Sequence, residues 1–258
     1  MTFSPSRPSC IRRHRYEVHG HAFNTIVVER GSFVMGDNGM DRASPAHQVT
    51  ITSDFELSEY LVTQALWQAV MGAEWQETYF KGADRPIECV SWDDAQEFLV
   101  EVNKWYWDSG QAAGRPGMFC LPTEAQWEYA ARGGRYGKSL SFEYAGGSRV
   151  EEVGWYDGNS HGETRPVGRK QPNVLGLYDM SGNVWEWCED DWHGNYQGAP
   201  ADERAWVDEP RGSFRVSRGG SWLGSAGGCR VASRINLLPG LRDFNLGFRP
   251  AFVPQSGG

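Results

Sequence analysis

The segment Leu177–Trp192 reads LYDMSGNVWEWCEDDW, and it holds the chain's best candidate for metal chemistry. Asp179, Gly182, Val184 and Glu186 fall at near-alternate positions around a tight, glycine-containing turn. Two carboxylates with backbone carbonyls between them are hard oxygen donors, the set that calcium takes. A plainer alternative makes Trp185, Trp187 and Trp192 core residues and leaves the two carboxylates facing water. Other reaction chemistry finds little support. The sequence has no GxSxG, HExxH, P-loop or GxGxxG motif. Apart from His19 and His21, its histidines do not pair at ligand spacing, and His47 reads as a structural residue in a strand. Glu124 and Glu128, four apart on a short helix, fit an ordinary solvated face. The five cysteines (Cys10, Cys89, Cys120, Cys188 and Cys229) are scattered without a CxxC pair, which suits neither a zinc site nor a disulfide framework. They read as buried small hydrophobes, Cys89, Cys120 and Cys188 above all.

A second stretch draws attention for having no period at all. Residues 215–250 begin with Arg215, Arg218, Gly219, Gly220, Ser221 and Trp222 and end with Gly247, Phe248 and Arg249. Between these ends the apolar residues follow neither a helical nor a strand spacing. Leu223, Ile235, Leu237, Leu238, Leu241 and Phe244 are too apolar for wet turns, so they are either core or meant for a partner.

The elements that must position both stretches are sparse. With 258 residues the chain is long enough for a substantial core, and 12 Trp with 32 Gly points to a loop-rich fold in which large aromatics supply the burial. A net charge of −8 argues against a nucleic-acid partner. No stretch approaches the roughly 20 apolar residues of a membrane span. Residues 1–20 contain Arg12, Arg13 and Arg15 but no apolar run after them, so no signal peptide is expected. Location stays open between a phage particle, a cell surface after processing, and the cytoplasm.

Residues 1–22 read as a loose arm or capping strand, and residues 23–258 as a single domain. Residues 23–34 suggest a hairpin turning at Arg30 and Gly31, and residues 47–57 a strand. Helices are expected over 63–71, over 91–107 with Ser91 and Asp94 capping, and from Thr123 with Gln126 to Arg132. Beyond Gly133 and Gly134 short strands between turns are the default. Helices grouped in the first half, with strands at both ends, give an α+β protein.

Several segments in order now identify a resemblance: RGSFVMG, HQVTITSDFELSEYLVT, RPIECVSWDDAQEF, LPTEAQWEYAARGG, PVGRKQPNVLGLYDMSGNVWEWCEDDW, RGGSW and LGFR. Together they span roughly Ile26 to Phe252 and resemble the formylglycine-generating-enzyme (sulfatase-modifying factor) domain. The resemblance implies a C-type lectin-like fold of that subtype. It also implies structural calcium at Asp179, Gly182, Val184 and Glu186, with Asp where the enzymes have Asn. In the enzymes two cysteines hold the copper that oxidises a cysteine of nascent sulfatases. Here the later one falls on Cys229 and the earlier one on Gly224. Copper(I) needs soft sulfur ligands, so no copper and no oxidase activity are expected.

The C-terminus is more similar to the variable proteins of diversity-generating retroelements, which carry the same fold. In that branch the codons between RGGSW and GFR are rewritten at adenines, and Lys, Glu, Gln, Met and Trp do not arise. The pattern places the mutable positions at Leu223, Gly224, Ser225, Gly228, Ser233, Ile235, Asn236, Leu237, Leu238, Leu241, Asp243, Phe244 and Asn245. No residue from Leu223 to Asn245 is one of the five excluded types. The resemblance therefore implies a ligand-binding protein whose partner is a protein or cell-surface receptor. An oxidase and a structural or regulatory domain with a fixed partner are the alternatives.

Overall fold

The computed structural model describes residues 11–72 and 77–255, whose strands form three sheets. Strands β1 (Arg13–Val18) and β2 (His21–Val28) make a hairpin through His19 and Gly20, both at positive φ. β3 (Gly31–Met35) and β4 (His47–Ile51) pair as a separate ribbon, whereas β5 (Phe55–Ser58) returns to β2. The hairpin expected over residues 23–34 is therefore not made. The chain leaves one sheet at Glu29 and enters another at Gly31, and the strand expected over 47–57 divides for the same reason. Apolar alternation cannot separate these arrangements, because each strand buries one face in either of them. Asp54 fixes the corner, accepting hydrogen bonds from the Arg30 N–H and the Arg12 guanidinium.

Of the expected arm, Arg13–Val18 is an edge strand with Tyr16 and Val18 buried, and Cys10 with the rest of residues 1–10 lies outside the described residues. Helices α1 (Gln64–Met71), α2 (Trp92–Asp108), the single turn α3 (Gln111–Gly114) and α4 (Glu124–Ala131) follow. The capping signals start α1, α2 and α4 where expected, while α3 has no side-chain cap. Thr63 accepts from Leu66 N–H, and the pairs Ser91 with Asp94 and Thr123 with Gln126 form reciprocal capping boxes. α2 buries Phe98, Leu99, Val102 and Tyr106 in the cluster that also holds Phe119 and Phe252.

β6 (Gly117–Cys120) ends the five-stranded sheet, ordered β1-β2-β5-β11-β6. Its outward edge is partly closed, since the Asn103 side chain bonds both the N–H and the C=O of Phe119. The third sheet carries the segments of interest. β7 (Trp185–Asp191), β8 (Arg215–Arg218) and β9 (Arg234–Leu237) run antiparallel in turn, and β10 (Leu246–Gly247) lies parallel to β7. β11 (Ala251–Pro254) then inserts between β5 and β6, tying the end of the chain to the first sheet. The aperiodic stretch thus leaves one scaffold strand and returns on another.

Candidate functional site

The ends of the aperiodic stretch are buried; between them Cys229 and residues 231–234 are buried too, and the rest is exposed or half-buried. Arg218, Phe248 and Arg249 are fully buried, and Trp222 nearly so. Two glycines at the ends have no room for a side chain. A Cβ on Gly220, which has φ +79°, would lie 2.7 Å from both Cys229 Sγ and the Gly228 carbonyl oxygen. On Gly247 it would lie 2.5 Å from the Ile87 carbonyl oxygen.

Among the thirteen positions singled out in the sequence, Ser233 alone is buried. Leu223, Leu238 and Leu241 are 50%, 54% and 36% exposed, and Ser225 is exposed. Gly224, Gly228, Ile235, Asn236, Leu237, Asp243, Phe244 and Asn245 are half-buried. None of the six apolar residues among them is core, although Leu237 and Phe244 pack against core clusters. A Cβ on Gly224 would find its nearest atom at 3.6 Å, and on Gly228 at 4.0 Å, so both accept a side chain in ordinary contact.

What holds this stretch is its main chain. The carbonyls of Gly224, Ser233, Asp243, Phe244 and Asn245 accept from Asp157 N, Arg218 Nη1, Cys89 N, Trp222 Nε1 and Trp185 N, at 2.8–3.2 Å. All five donors lie outside the thirteen positions. Ile235, Asn236 and Leu237 also pair with Ser217, Val216 and Arg215 in the β8–β9 ladder. Backbone carbonyls survive any change of side chain, so these five bonds do not depend on the side chains presented, although Asp243 Oδ1 also accepts from the Phe244 N–H.

Beneath it lies an ionic network that the sequence reading missed. Glu124 and Glu128, expected on a solvated face, are buried. Arg218 Nη2 reaches Glu128 Oε2 at 2.5 Å and also donates to the Val231 carbonyl, while its Nη1 serves Ala232 and Ser233. Arg234 grips Glu124 through Nε and Nη2, both at 2.7 Å, and donates to the Arg42 and His193 carbonyls. Burial opposes ionisation of Glu128, yet the Arg132 and Arg218 guanidiniums hold its carboxyl below the usual range. A glutamate pair at helical spacing looks the same on a wet helix. The only cue was the arginines of RVSR and SR, which need acidic partners if they point inward.

Asp179 and Glu186 do not face water either. Glu186 is fully buried, gripped by Arg249 Nε and Nη2 at 2.7 and 2.9 Å and by Trp127 Nε1 at 2.8 Å. Asp179, at φ +57°, accepts from Gly168 N–H through Oδ2, but its buried Oδ1 has no partner. Burial pushes this carboxyl up to about 6. Gly182 sits where a Cβ would strike the Trp155 carbonyl, and Val184 is core. An orphaned, desolvated oxygen fits a hard cation. Arg249 already neutralises Glu186, so Asp179 would supply the charge and the Gly182 and Val184 carbonyls the further oxygens. No cluster of three or more His, Cys, Asp or Glu side chains suited to a metal occurs among the described residues.

Cys89, Cys120, Cys188 and Cys229 are all free; Cys188 and Cys229 are buried, and Cys89 and Cys120 half-buried, Cys120 packing against the main core. Burial pushes the Cys229 thiol up to about 12, far from the thiolate that copper or nucleophilic chemistry requires.

Known proteins share this architecture. Residues 15–252 match the model of the sulfatase-modifying factor enzyme 1-like domain. The chain is 31% identical to the chaperone protein LppX of Paenibacillus barcinonensis, over 85% of this chain and 84% of that one. It is 33% identical to the formylglycine-generating enzyme of Streptomyces coelicolor, over 80% of this chain and 66% of the enzyme. The solved structure of Treponema denticola variable protein 1 superposes with a TM-score of 0.80 at 32% identity, covering 93% of this chain and 98% of that one. The loop-rich α+β fold expected from the resemblance, C-type lectin-like in its formylglycine-generating-enzyme form, is the fold present. From the family match and the shared architecture together, the chain belongs to the sulfatase-modifying factor enzyme 1-like family.

Proposed function

We propose that the chain is a non-enzymatic binding protein whose thirteen positions between Leu223 and Asn245 are diversified by a retroelement and contact a protein ligand or cell-surface receptor. One observation carries the reading: the mutable side chains are exposed or half-buried, save Ser233, while fixed groups hold the main chain beneath them. Likeness to a variable protein across nearly its whole length supports it. Each exposed leucine offers about 1.5–3 kcal/mol when a partner buries it, before the costs of association. The coding DNA gives the direct test. An adenine-rich near-copy of the stretch encoding residues 223–245, beside a reverse transcriptase gene, is expected. Without it the diversification fails, and a structural or regulatory domain with a fixed partner becomes the better reading.

Stability measurements provide a second check. Replacing Leu223, Leu238 and Leu241 one at a time by Ser should move unfolding free energy by no more than about 0.5 kcal/mol, as at ordinary surface sites. A loss of roughly 2 kcal/mol or more at any of them would make it core. Copper-dependent oxidation of a cysteine peptide is not expected, since Gly224 leaves Cys229 without a second thiol.

Calcium belongs to the same proposal as a structural ion at Asp179, Gly182, Val184 and Glu186. It would satisfy Asp179 Oδ1 and brace the turn that leads into β7. At 100 times its Kd, calcium should add about 2.7 kcal/mol of stability, visible as a rise in Tm that EDTA reverses. Asp179→Ala should abolish the rise. An identical Tm with calcium and with EDTA would leave the orphaned oxygen to a proton.

A further inference from the structure

Tyr79 is the most exposed large hydrophobic residue among the described residues, at 71%. Its ring meets Phe80 edge-on at 4.9 Å between centroids and Phe244 at 5.7 Å. Phe80 in turn meets Trp222 at 5.3 Å, and Trp222 meets Phe244 at 5.7 Å. The four rings close a circuit with Trp222 buried and Tyr79 outermost. Only Phe244 belongs to the thirteen positions. The circuit is also pinned from below. The Phe80 N–H donates to the buried Glu88 carboxylate, whose other oxygen accepts from Cys89 Sγ, and the Cys89 N–H donates to the Asp243 carbonyl. Fixed groups therefore hold Tyr79 at the rim of the variable stretch.

The same rim is acidic. Arg242 pairs with Asp94 and Glu77 and is still 43% exposed in its side chain. Glu97 adds its charge from α2, and Asp243 is the next residue along the chain. Three carboxylates, Asp94, Glu77 and Glu97, thus act on one guanidinium, and Asp243 carries a fourth to the edge of the aromatic circuit, where its Oδ1 accepts from the Phe244 N–H.

We propose that Tyr79 and this acidic arc form a constant half of the binding face, and that the partner is a protein surface offering an apolar side chain ringed by lysine or arginine. The proposal rests on reading residues 223–245 as a binding surface. A rigid aromatic supplies contact area at low entropic cost whatever the neighbouring positions encode. The carboxylates select the sign of the partner's rim and speed encounter with it.

Phage-displayed, disulfide-constrained random peptides panned against the full chain test this. Enriched peptides are then synthesised and titrated against the parent chain and against Tyr79→Ala, Leu223→Ser and Leu238→Ser. Because these side chains are exposed, an unchanged Tm should certify each variant. The expected binders contain more Lys and Arg than Asp and Glu, and weaken at least tenfold on Tyr79→Ala and on one of the leucine variants. Binders that lose affinity with the leucine variants but less than tenfold with Tyr79→Ala overturn the constant half and leave the reading of residues 223–245 standing. So do binders with an acidic or neutral bias. Binders that need Tyr79 but neither leucine overturn the shared face. Indifference to all three variants, or no enrichment, overturns both. Sedimentation of the chain alone completes the test: a dimer that Tyr79→Ala dissolves would place a second copy on this face and overturn the proposal.

Discussion

Arg218→Met should cost about 3–5 kcal/mol of unfolding free energy, the usual result of removing one partner from a buried ion pair. At roughly 2–4 °C per kcal/mol for a chain of this size, Tm should fall by about 10 °C. The guanidinium has no solvent exposure and serves four acceptors at once: the Glu128 carboxylate and the carbonyls of Val231, Ala232 and Ser233. Methionine fills similar space but leaves Glu128 with less charge compensation in a dry site. Those three carbonyls immediately precede Arg234 and β9, so the variant should also loosen residues 231–237, read as faster amide exchange there than in β1–β2. Arg218→Lys restores the charge without the planar fork and should recover only part of the loss. In a double-mutant cycle, Glu128→Gln in the Arg218→Met background should cost less than in the parent, because the carboxylate has already lost one of its two guanidinium partners and keeps only Arg132. Urea unfolding supplies all three values. A loss under about 1 kcal/mol for Arg218→Met would mean that the network under residues 223–245 is not what holds them.

This network separates what the sequence disclosed from what it hid. Helix starts were legible because capping boxes are local: Ser91 with Asp94, and Thr123 with Gln126, need only three residues of separation. The family segments made the fold legible as well. The sheet partners of β3 and β4 were not, since a strand with one buried face reads the same whichever strand lies beside it. Ion pairs such as Arg234 with Glu124 join residues 110 apart, and no local spacing marks them. The thirteen positions came from the pattern of the resemblance, and all but Ser233 are exposed or half-buried. Tyr79 was invisible for the opposite reason. It belongs to no motif and gains meaning only where Phe80, Trp222 and Phe244 converge.

The border between the frame and the positions proposed to vary can be measured with two glycines four residues apart. Gly220→Ala should destabilise the chain by roughly 2–4 kcal/mol. Part of this comes from forcing a Cβ into left-handed backbone at φ +79°. The rest is overpacking, because the Gly228 carbonyl oxygen at 2.7 Å and Cys229 Cα at 2.8 Å are main-chain atoms that cannot swing aside. Gly224→Ala should be neutral or stabilising by up to about 1 kcal/mol. Its φ lies outside the left-handed region, the nearest neighbour of the new methyl is 3.6 Å away, and alanine narrows the unfolded ensemble. Larger side chains at Gly224 and Gly228 should follow alanine, with no step in stability as volume grows, because both positions open outward. Parallel chemical unfolding of the Ala, Asn, Leu and Tyr variants at Gly224 and of Gly220→Ala decides the point. If position 224 rejects bulk as strongly as position 220, then Gly224 belongs to the frame. Diversification would then have to begin beyond it, and the binding face would shrink toward β9 and the loop before β10.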